Sequence, residues 1–326
     1  MNPFRPFAFL IAALCALVPG QAAQAQAFPS RNLVLVVPFA PGGSTDLLGR
    51  AVAERLAKGL GKPVVVENKP GAGTAVAAEQ VARAAPDGHT LLLATTSTLV
   101  LNPVLMANLR YDAERDFAGV SMLASAPMVM VVNASSPAAS VQEFVALARR
   151  EPGKLNFGSA GTGSSLHMAG ELFKAMANVD IVHVPYKGSQ PALAALLAGE
   201  VQTFFDLIPT SKPLVAAGRL RALAVTSARR AQAMPEVPTL AELGYPEYEA
   251  SPRFALVVPG ATPRAIVERL HAEAAGALAD AELRQRFSAL AMELGASAPD
   301  AVAAYFQAER ARWGALVKAK GIRLDP

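Results

Sequence analysis

Short apolar segments alternate with amphipathic stretches along most of this chain, a pattern that predicts an α/β fold built on parallel sheets. The first unit shows it well, because the apolar run Leu33–Val37 predicts a strand and the residues from about Asp46 to Leu60 predict a helix. Four apolar residues recur there at every fourth position, as expected for one helix face: Leu48, Val52, Leu56 and Leu60. Gly61 then ends the predicted helix.

Further strands follow in two blocks of the chain. The first block continues with strands predicted at Val64–Glu67 and Thr90–Ala94, and the second contains those at Met128–Val132, Lys154–Phe157, Ile181–Val184, Val201–Phe205 and Leu220–Thr226. A strand at Phe254–Val258 is predicted to return to the first block, followed by helices at about Pro263–Ala279, Ala281–Leu290 and Pro299–Lys318. Two blocks joined by crossover strands predict a two-lobed clamshell with a mainly parallel sheet in each lobe. Residues 28–127 and 253–326 would form lobe 1, and residues 128–252 lobe 2.

The composition is that of a folded protein with a large core, because 52% of the 326 residues are hydrophobic and only 17% are charged. The formal net charge is +4, and no run of lysine and arginine is longer than two residues. Such a surface has no concentrated positive patch, so we expect no nucleic-acid partner.

The first 27 residues have the features of an export signal. Arg5 precedes an apolar segment, Phe7–Val18, that is too short to span a bilayer, and Ala25–Ala27 fits the small-x-small cleavage rule. We therefore predict a signal peptide at residues 1–27, cleaved near Ala27, and a soluble periplasmic protein. Cys15 is the only cysteine and would be removed with the signal, so the mature chain is expected to have no thiol or disulfide chemistry.

Two turns rich in glycine, serine and threonine follow predicted strands, and each opens a helix. The first spans Pro41–Asp46 and the second Ser159–Ser165. The N–H groups at a helix start attract anions, so two such turns suggest a small acidic ligand held between two lobes. The alternative for the first turn is a simple strand-to-helix connection with a hydroxyl cap. Asp46 is expected in the first helical turn, where it stabilises the helix dipole or orients the loop.

Two more polar loops end neighbouring strands, at Asn68–Thr74 and at Thr95–Thr98. In open parallel sheets the carboxyl ends of the strands form the edge where ligands bind, which makes Thr74 and Thr95 candidates for the site. Asp206 also ends a predicted strand, where it either receives a ligand ammonium group or braces a loop.

The second turn has no cofactor signature, and we predict neither a cofactor nor a metal. It lacks the Gly-Lys-Ser/Thr of a Walker A loop, the third glycine of a dinucleotide loop and the Gly-x-Ser-x-Gly of a hydrolase elbow. His167 follows the turn and is more simply explained by capping or lining a pocket than by catalysis. The other histidines have no spacing with acidic residues that suggests a metal site: His89, His183 and His271.

Six segments in this order together resemble the solute-binding proteins of tripartite tricarboxylate transporters, the Bug family, over essentially the whole mature chain. They are Pro38–Asp46, Val66–Gly73, Gly158–His167, His183–Gly188, Gly218–Thr226 and Pro235–Gly244. The resemblance implies a non-enzymatic periplasmic protein that closes on a small carboxylate. It also implies two membrane subunits of a secondary transporter as partners.

The same resemblance implies which residues hold the carboxylate, partly through ordered water. By position they are Phe39, Gly43, Ser44 and Thr45 on one side, and Ser159, Thr162, Gly163 and Ser164 on the other, with Asp206 nearby. The sequence departs from the family at Arg253, which stands about where a tryptophan is common. Arg253 either points into the cleft and pairs with a second ligand carboxylate or is a surface arginine beside the hinge.

Two rival functions stay open at this point. An exported serine hydrolase would use Ser164 or Ser165 with His167, but no acidic residue is evidently placed to orient that histidine. A binding protein of the same fold could also report its ligand to a membrane sensor kinase. The identity of the carboxylate is open as well, because backbone and hydroxyl donors recognise a carboxylate without specifying the rest of the molecule.

Overall fold

The computed structural model describes residues 28–322, which form two β-sheets with helices packed against them. The predicted signal peptide and its cleavage site lie outside these residues, as do the last four residues of the chain. None of the helices between residues 28 and 322 combines the length and apolar character that crossing a bilayer requires.

The larger sheet has six strands in the described part of the chain. Their spatial order is β11 (Glu293–Leu294), β4 (Phe117–Ser125), β10 (Arg253–Pro259), β3 (Thr90–Thr95), β1 (Leu33–Val37) and β2 (Val64–Asn68). Strand β1 pairs in parallel with β2 and β3, as the alternating pattern predicts. Strand β10 runs antiparallel to both β3 and β4, because the chain enters it from the other sheet.

The smaller sheet has five strands between residues 128 and 225. Their order is β7 (Val182–Pro185), β6 (Asn156–Ser159), β8 (Thr203–Leu207), β5 (Met128–Asn133) and β9 (Leu220–Val225). Strand β6 pairs in parallel with β7 and β8, and β5 runs antiparallel to β8 and β9. Both sheets are therefore mixed, with a parallel core and antiparallel strands where the chain passes from one sheet to the other.

Helices cover the faces of both sheets and bury apolar side chains against them. In chain order they are α1 (Ser44–Leu60), α2 (Ala75–Ala82), α3 (Asn102–Leu105), α4 (Val141–Arg150), α5 (Ser165–Ala177), α6 (Ser189–Ala198), α7 (Ile208–Ala216), α8 (Arg264–Ala279), α9 (Ala281–Ser288) and α10 (Pro299–Lys320). A 3₁₀ turn at Ala72–Thr74 precedes α2, and a π-helical turn at Ser97–Leu101 precedes α3. The core has an aromatic contact typical of this packing, in which the rings of Phe173 and Phe205 lie 5.5 Å apart.

Two connections join the sheets. Ala126 and Pro127 link β4 to β5, and a longer segment leads from β9 to β10. Ala126 donates its N–H to Pro252 O at 3.1 Å, so the two connections lie side by side. The two lobes, each a sheet with its helices, meet at the carboxyl ends of their parallel strands.

Candidate functional site

The loops after β1 and β7 touch where the two sheets face each other. Ala40 donates its N–H to Lys187 O at 3.1 Å, and the Gln190 side-chain amide donates to Gly42 O at 2.9 Å. Both bonds join residues nearly 150 positions apart, so they hold the lobes together rather than shaping one loop. The structure is therefore a closed arrangement of the lobes.

A second line of contact runs between helix starts. Ser44 Oγ at the beginning of α1 lies 3.3 Å from Thr210 Oγ1 in the first turn of α7. Ser97 Oγ lies 3.1 Å from Ser165 Oγ and also accepts the Ser165 N–H at 2.9 Å. These four hydroxyl-bearing residues are buried, so the contact surface between the lobes is polar yet shielded from water.

The loop after β2 meets the loop after β6 through glycine. Gly73 has φ of +54°, a left-handed conformation that favours glycine, and a Cβ at this position would overlap the Thr162 carbonyl oxygen. Gly163 has φ of +80° and faces the side chain of Asn102, the first residue of α3 in the other lobe. At Gly73 and Gly163 the two lobes thus approach each other more closely than a residue with a Cβ would permit.

The start of α1 carries unsatisfied backbone donors at this junction. Its N-cap residue is Gly43, which has no side chain to accept a hydrogen bond. The N–H groups of Ser44, Thr45 and Asp46 find no acceptor among residues 28–322, although all three residues are at most 4% exposed. A buried helix start with free N–H groups and the positive end of the dipole is a strong anion-attracting feature.

Asp46 does not oppose that attraction, because its carboxylate is turned into the loop. Its Oδ2 accepts the Gly42 N–H and the Arg50 guanidinium, each at 2.9 Å, and its Oδ1 accepts the Asn68 amide at 2.9 Å. Burial works to raise the pKa of Asp46, but these hydrogen bonds hold it below its usual value. The same Asn68 amide donates to Phe39 O at 2.9 Å. Asp46 and Asn68 therefore fix the shape of the loop after β1.

The glycine- and serine-rich loop after β6 differs from the α1 start, because its donors are largely used within the protein. Gly161 donates its N–H to Ser159 Oγ at 3.0 Å, and Ser164 donates to Gly161 O at 3.0 Å. Gly163 donates to His167 Nδ1 at 3.1 Å, and Ser164 Oγ accepts the His167 N–H as the N-cap of α5. The loop is thus pre-shaped by its own hydrogen bonds.

Two histidines, His167 and His183, pack against this loop. His183 Nε2 lies 2.6 Å from Ser159 Oγ, and its ring stacks on that of His167 with 3.7 Å between centroids. Burial first, then the neighbouring His167 and Lys174, lowers the pKa of His183 from 6.5 to about 3. His183 is accordingly neutral at physiological pH. No pattern in the sequence marks the Ser159–His183 pair, since 24 residues separate its members.

Asp206 is fully buried and ties β8 to the first turn of α7. Thr210 and Ser211 both donate hydroxyl hydrogen bonds to its Oδ2, at 2.6 and 2.7 Å. Burial raises the pKa of Asp206, and hydrogen bonding from Ser189, Thr210 and Ser211 offsets part of that rise. These contacts correspond to the bracing role, and they place Asp206 directly behind the Thr210 hydroxyl that meets Ser44.

Thr74 and Thr95 belong to one buried network within the larger-sheet lobe. Thr98 Oγ1 donates to Thr74 Oγ1 at 2.9 Å and lies 3.3 Å from Thr95 Oγ1. The Asn102 amide donates to Gly73 O and to Thr74 Oγ1, at 3.0 and 3.2 Å. Thr74 therefore belongs to the Gly73 turn, and Thr98 connects it to Thr95 at the end of β3.

Arg253 is the one candidate that the structure does not bring to these loops. Its side chain is exposed and lies over the Tyr305 ring of α10, with the guanidinium carbon 5.0 Å from the ring centroid. Only its backbone N–H approaches the junction, donating to Thr96 Oγ1 at 2.9 Å. We correct the expectation accordingly and leave Arg253 out of the candidate site, because a cation–π contact draws its side chain onto α10.

The residues considered for a serine hydrolase, Ser164, Ser165 and His167, do not form a catalytic arrangement in the structure. Ser164 Oγ caps a backbone N–H, Ser165 pairs with Ser97, and His167 Nδ1 is occupied by the Gly163 N–H. Neither serine hydroxyl is therefore bonded to the His167 ring. Across residues 28–322, no three His, Cys, Asp or Glu side chains group in a way that could hold a metal ion.

Comparison with known proteins gives a consistent result along the chain. Residues 48–322 match the model of the tripartite tricarboxylate transporter family receptor. The solved structure of the periplasmic binding protein BugD is 31% identical, covers 91% of this chain and 99% of BugD, and gives a TM-score of 0.88.

Two further solved structures are similar and contain carboxylates. R. palustris Rpa4515 with adipate is 37% identical, with 91% of this chain and 99% of that chain covered and a TM-score of 0.87. MatC from Rhodopseudomonas palustris with bound malate is 34% identical, with 89% and 100% covered and a TM-score of 0.86. These similarities span both sheets and so concern the whole two-lobed architecture.

Proposed function

The chain belongs to the tripartite tricarboxylate transporter receptor family of periplasmic solute-binding proteins, and we propose that it captures a small carboxylate between its lobes and delivers it to a secondary transporter. Relatives of similar structure hold adipate and malate, which supports a carboxylate as the ligand class here. The division into residues 28–127 with 253–326 and residues 128–252 fits this proposal as two closing bodies.

The observation that carries the proposal is the start of α1. Its unpaired N–H groups at Ser44, Thr45 and Asp46 are buried at the lobe junction, and α1 is 17 residues long, so its dipole adds to them. Burying donors without acceptors costs about 1–3 kcal/mol each, which a bound carboxylate oxygen would recover. A ligand anion seated there needs no positively charged side chain.

The other lobe contributes shape and hydroxyl groups in this proposal. The loop after β6 is pre-organised by its internal hydrogen bonds, so little ordering entropy is lost when a ligand binds. Thr162 belongs to that loop and Ser159 ends the strand before it, and Thr210 and Ser189 lie against the α1 start. Closure around the ligand would be a hinge motion about the two connections between the sheets.

Thermal unfolding of the mature protein against a panel of mono-, di- and tricarboxylic acids tests the proposal. The protein is first unfolded and refolded so that carried-over ligand is removed. An acid at ~100 times its dissociation constant stabilises the fold by roughly 2.7 kcal/mol, which raises the midpoint by several degrees. The matched control is the amide or methyl ester of the same acid, which we expect to give no shift. A shift of equal size with the ester would contradict an anion seat at α1.

Delivery to a transporter needs its own test, because capture alone does not distinguish transport from sensing. A strain lacking this protein should fail to take up the identified acid, and the wild-type gene should restore uptake. Normal uptake combined with a lost transcriptional response to the acid would instead favour the sensor role.

A further inference from the structure

The hydroxyl of Ser159 sits between two groups that can both donate to it. Ser159 ends β6, is fully buried, and accepts the Gly161 N–H at 3.0 Å. On its other side lies His183 Nε2 at 2.6 Å, a short distance for a neutral pair. Which of Ser159 and His183 carries the proton between them therefore decides whether the Ser159 hydroxyl can donate a hydrogen bond to a ligand.

A hydroxyl has one proton to donate and two lone pairs that accept. His183 is neutral, since burial lowers its pKa to about 3, so its ring carries one N–H and one bare nitrogen. If Nε2 is bare, Ser159 donates its only proton to His183 and has none left. If Nε2 carries the proton, both lone pairs of Ser159 are filled and its proton must point to a third partner.

We propose that His183 is a positioning residue for ligand binding: its Nε2–H donates to Ser159 Oγ and so directs the Ser159 proton to an oxygen of the bound anion. This inference rests on the proposed function and adds to it a specific donor and the residue that orients it. The ligand chemistry is a carboxylate oxygen that accepts a hydrogen bond from a neutral hydroxyl.

The neighbouring ring holds His183 in the orientation that this role requires. His167 accepts the Gly163 N–H on Nδ1 and so carries its own proton on Nε2, 3.7 Å from Glu171 Oε1. His183 stacks on that fixed ring and also lies 5.0 Å from the Phe157 ring. This stacking on one face restricts rotation of the His183 ring and holds its Nε2 towards Ser159.

Four variants separate this role from simple packing. Gln at position 183 can place an amide N–H where Nε2 lies, whereas Asn is too short to reach Ser159. We expect Ser159→Ala and His183→Asn each to weaken binding of the identified acid roughly tenfold or more, the effect of one hydrogen bond to a charged ligand. The double variant should be no weaker than Ser159→Ala alone, and His183→Gln should retain near wild-type affinity.

Isothermal titration gives the affinities, and side-chain ¹⁵N NMR of the wild-type protein gives the tautomer directly. A protonated Nε2 on His183 supports the proposal, and a bare Nε2 in the ligand complex overturns it. Wild-type affinity of His183→Asn, or additive losses in the double variant, would also overturn it while leaving carboxylate capture intact. Failure of the wild-type protein to bind any acid would instead overturn the proposed function, and this inference with it.

Discussion

Gly73 lies directly against the carbonyl oxygen of Thr162, across the junction between the two lobes. Its φ of +54° places its backbone in the left-handed region, and the absence of a Cβ lets the turn after β2 pack directly against the backbone of the loop after β6. Closure of the lobes thus depends on glycine at position 73, because a side chain there would collide with the facing lobe.

Replacing Gly73 with alanine should therefore oppose closure. The new Cβ would overlap the Thr162 carbonyl only when the lobes are closed, so we expect Gly73→Ala to weaken ligand binding by about tenfold or more. Isothermal titration with the identified acid measures the effect. The cost of alanine at positive φ, about 1–2 kcal/mol, should appear separately as lower stability.

Gly61→Ala is the matched control for this substitution. Gly61 has φ of +66° at the end of α1, and a Cβ added there would have no other atom within 4 Å. It should lose similar stability through the same backbone strain but bind the ligand as the wild type does. Equal affinities of the two variants would show that the Gly73 contact does not limit closure.

Proline at position 44 should remove one ligand donor without breaking α1. Ser44 is the first residue of α1, where proline is well tolerated, and Gly43 before it is already extended, with φ −77° and ψ 169°. Ser44→Pro deletes both the N–H and the hydroxyl, whereas Ser44→Ala deletes the hydroxyl alone. We expect the proline variant to bind at least about tenfold more weakly than the alanine variant.

Circular dichroism and the unfolding midpoint should show that both Ser44 variants keep the fold. The affinity difference between them isolates the backbone donor, because the contact with Thr210 is lost in both. Identical affinities would exclude the Ser44 N–H from the anion seat.

The partly buried His183 should make the protein sensitive to acid. Its pKa falls from 6.5 to about 3 on folding, so the unfolded chain binds the extra proton first. The stability it contributes is present above pH 6.5 and is lost progressively as the pH falls towards 3. In His183→Gln this loss is absent, and urea unfolding between pH 7.5 and 4 should show a shallower decline than in the wild type. Parallel curves would mean that His183 titrates normally.

The alternation of apolar and amphipathic segments predicted much of the fold to within a few residues. Strand β1 at Leu33–Val37 and helix α8 at Arg264–Ala279 lie within one residue of where the pattern placed them. Strands β6 and β8 each begin and end two residues later than predicted, because their last two residues still pair with the neighbouring strands β7 and β5. The apolar centre of a strand can be recognised in a sequence, whereas the backbone pairing of its last residues cannot.

Strand β4 and helix α7 were missed for different physical reasons. Strand β4 contains Gly119, which looks like a break in a strand but is needed because Val302 of α10 packs where its Cβ would be. Helix α7 starts immediately after β8 and contains Pro209 and Pro213, residues that usually mark helix ends. Long-range packing thus explains β4, whereas local hydrogen bonds from Thr210 and Ser211 to Asp206 hold the start of α7.

Within the candidate site, the sequence indicated the loops but not how their donors are used. Glycine and hydroxyl content pointed equally to the turns at Pro41–Asp46 and Ser159–Ser165. Only the folded chain shows that Gly161 and Gly163 donate their N–H groups to Ser159 and His167, while the start of α1 keeps its donors free. These pairings depend on the exact backbone geometry of the loop, which its composition does not specify, so the pattern could not distinguish the two turns.

Trp313 offers a direct optical test of closure. It is the only tryptophan in the sequence, it is 3% exposed, and it borders a small space together with Thr96 of one lobe and Ser165 of the other. Since opening would move Ser165 away and admit water to the indole, ligand addition should shift its emission to shorter wavelength with the affinity found by calorimetry. Trp313→Phe should bind equally well without the signal. Binding detected by heat but not by emission would mean that the lobes do not move against each other near Trp313.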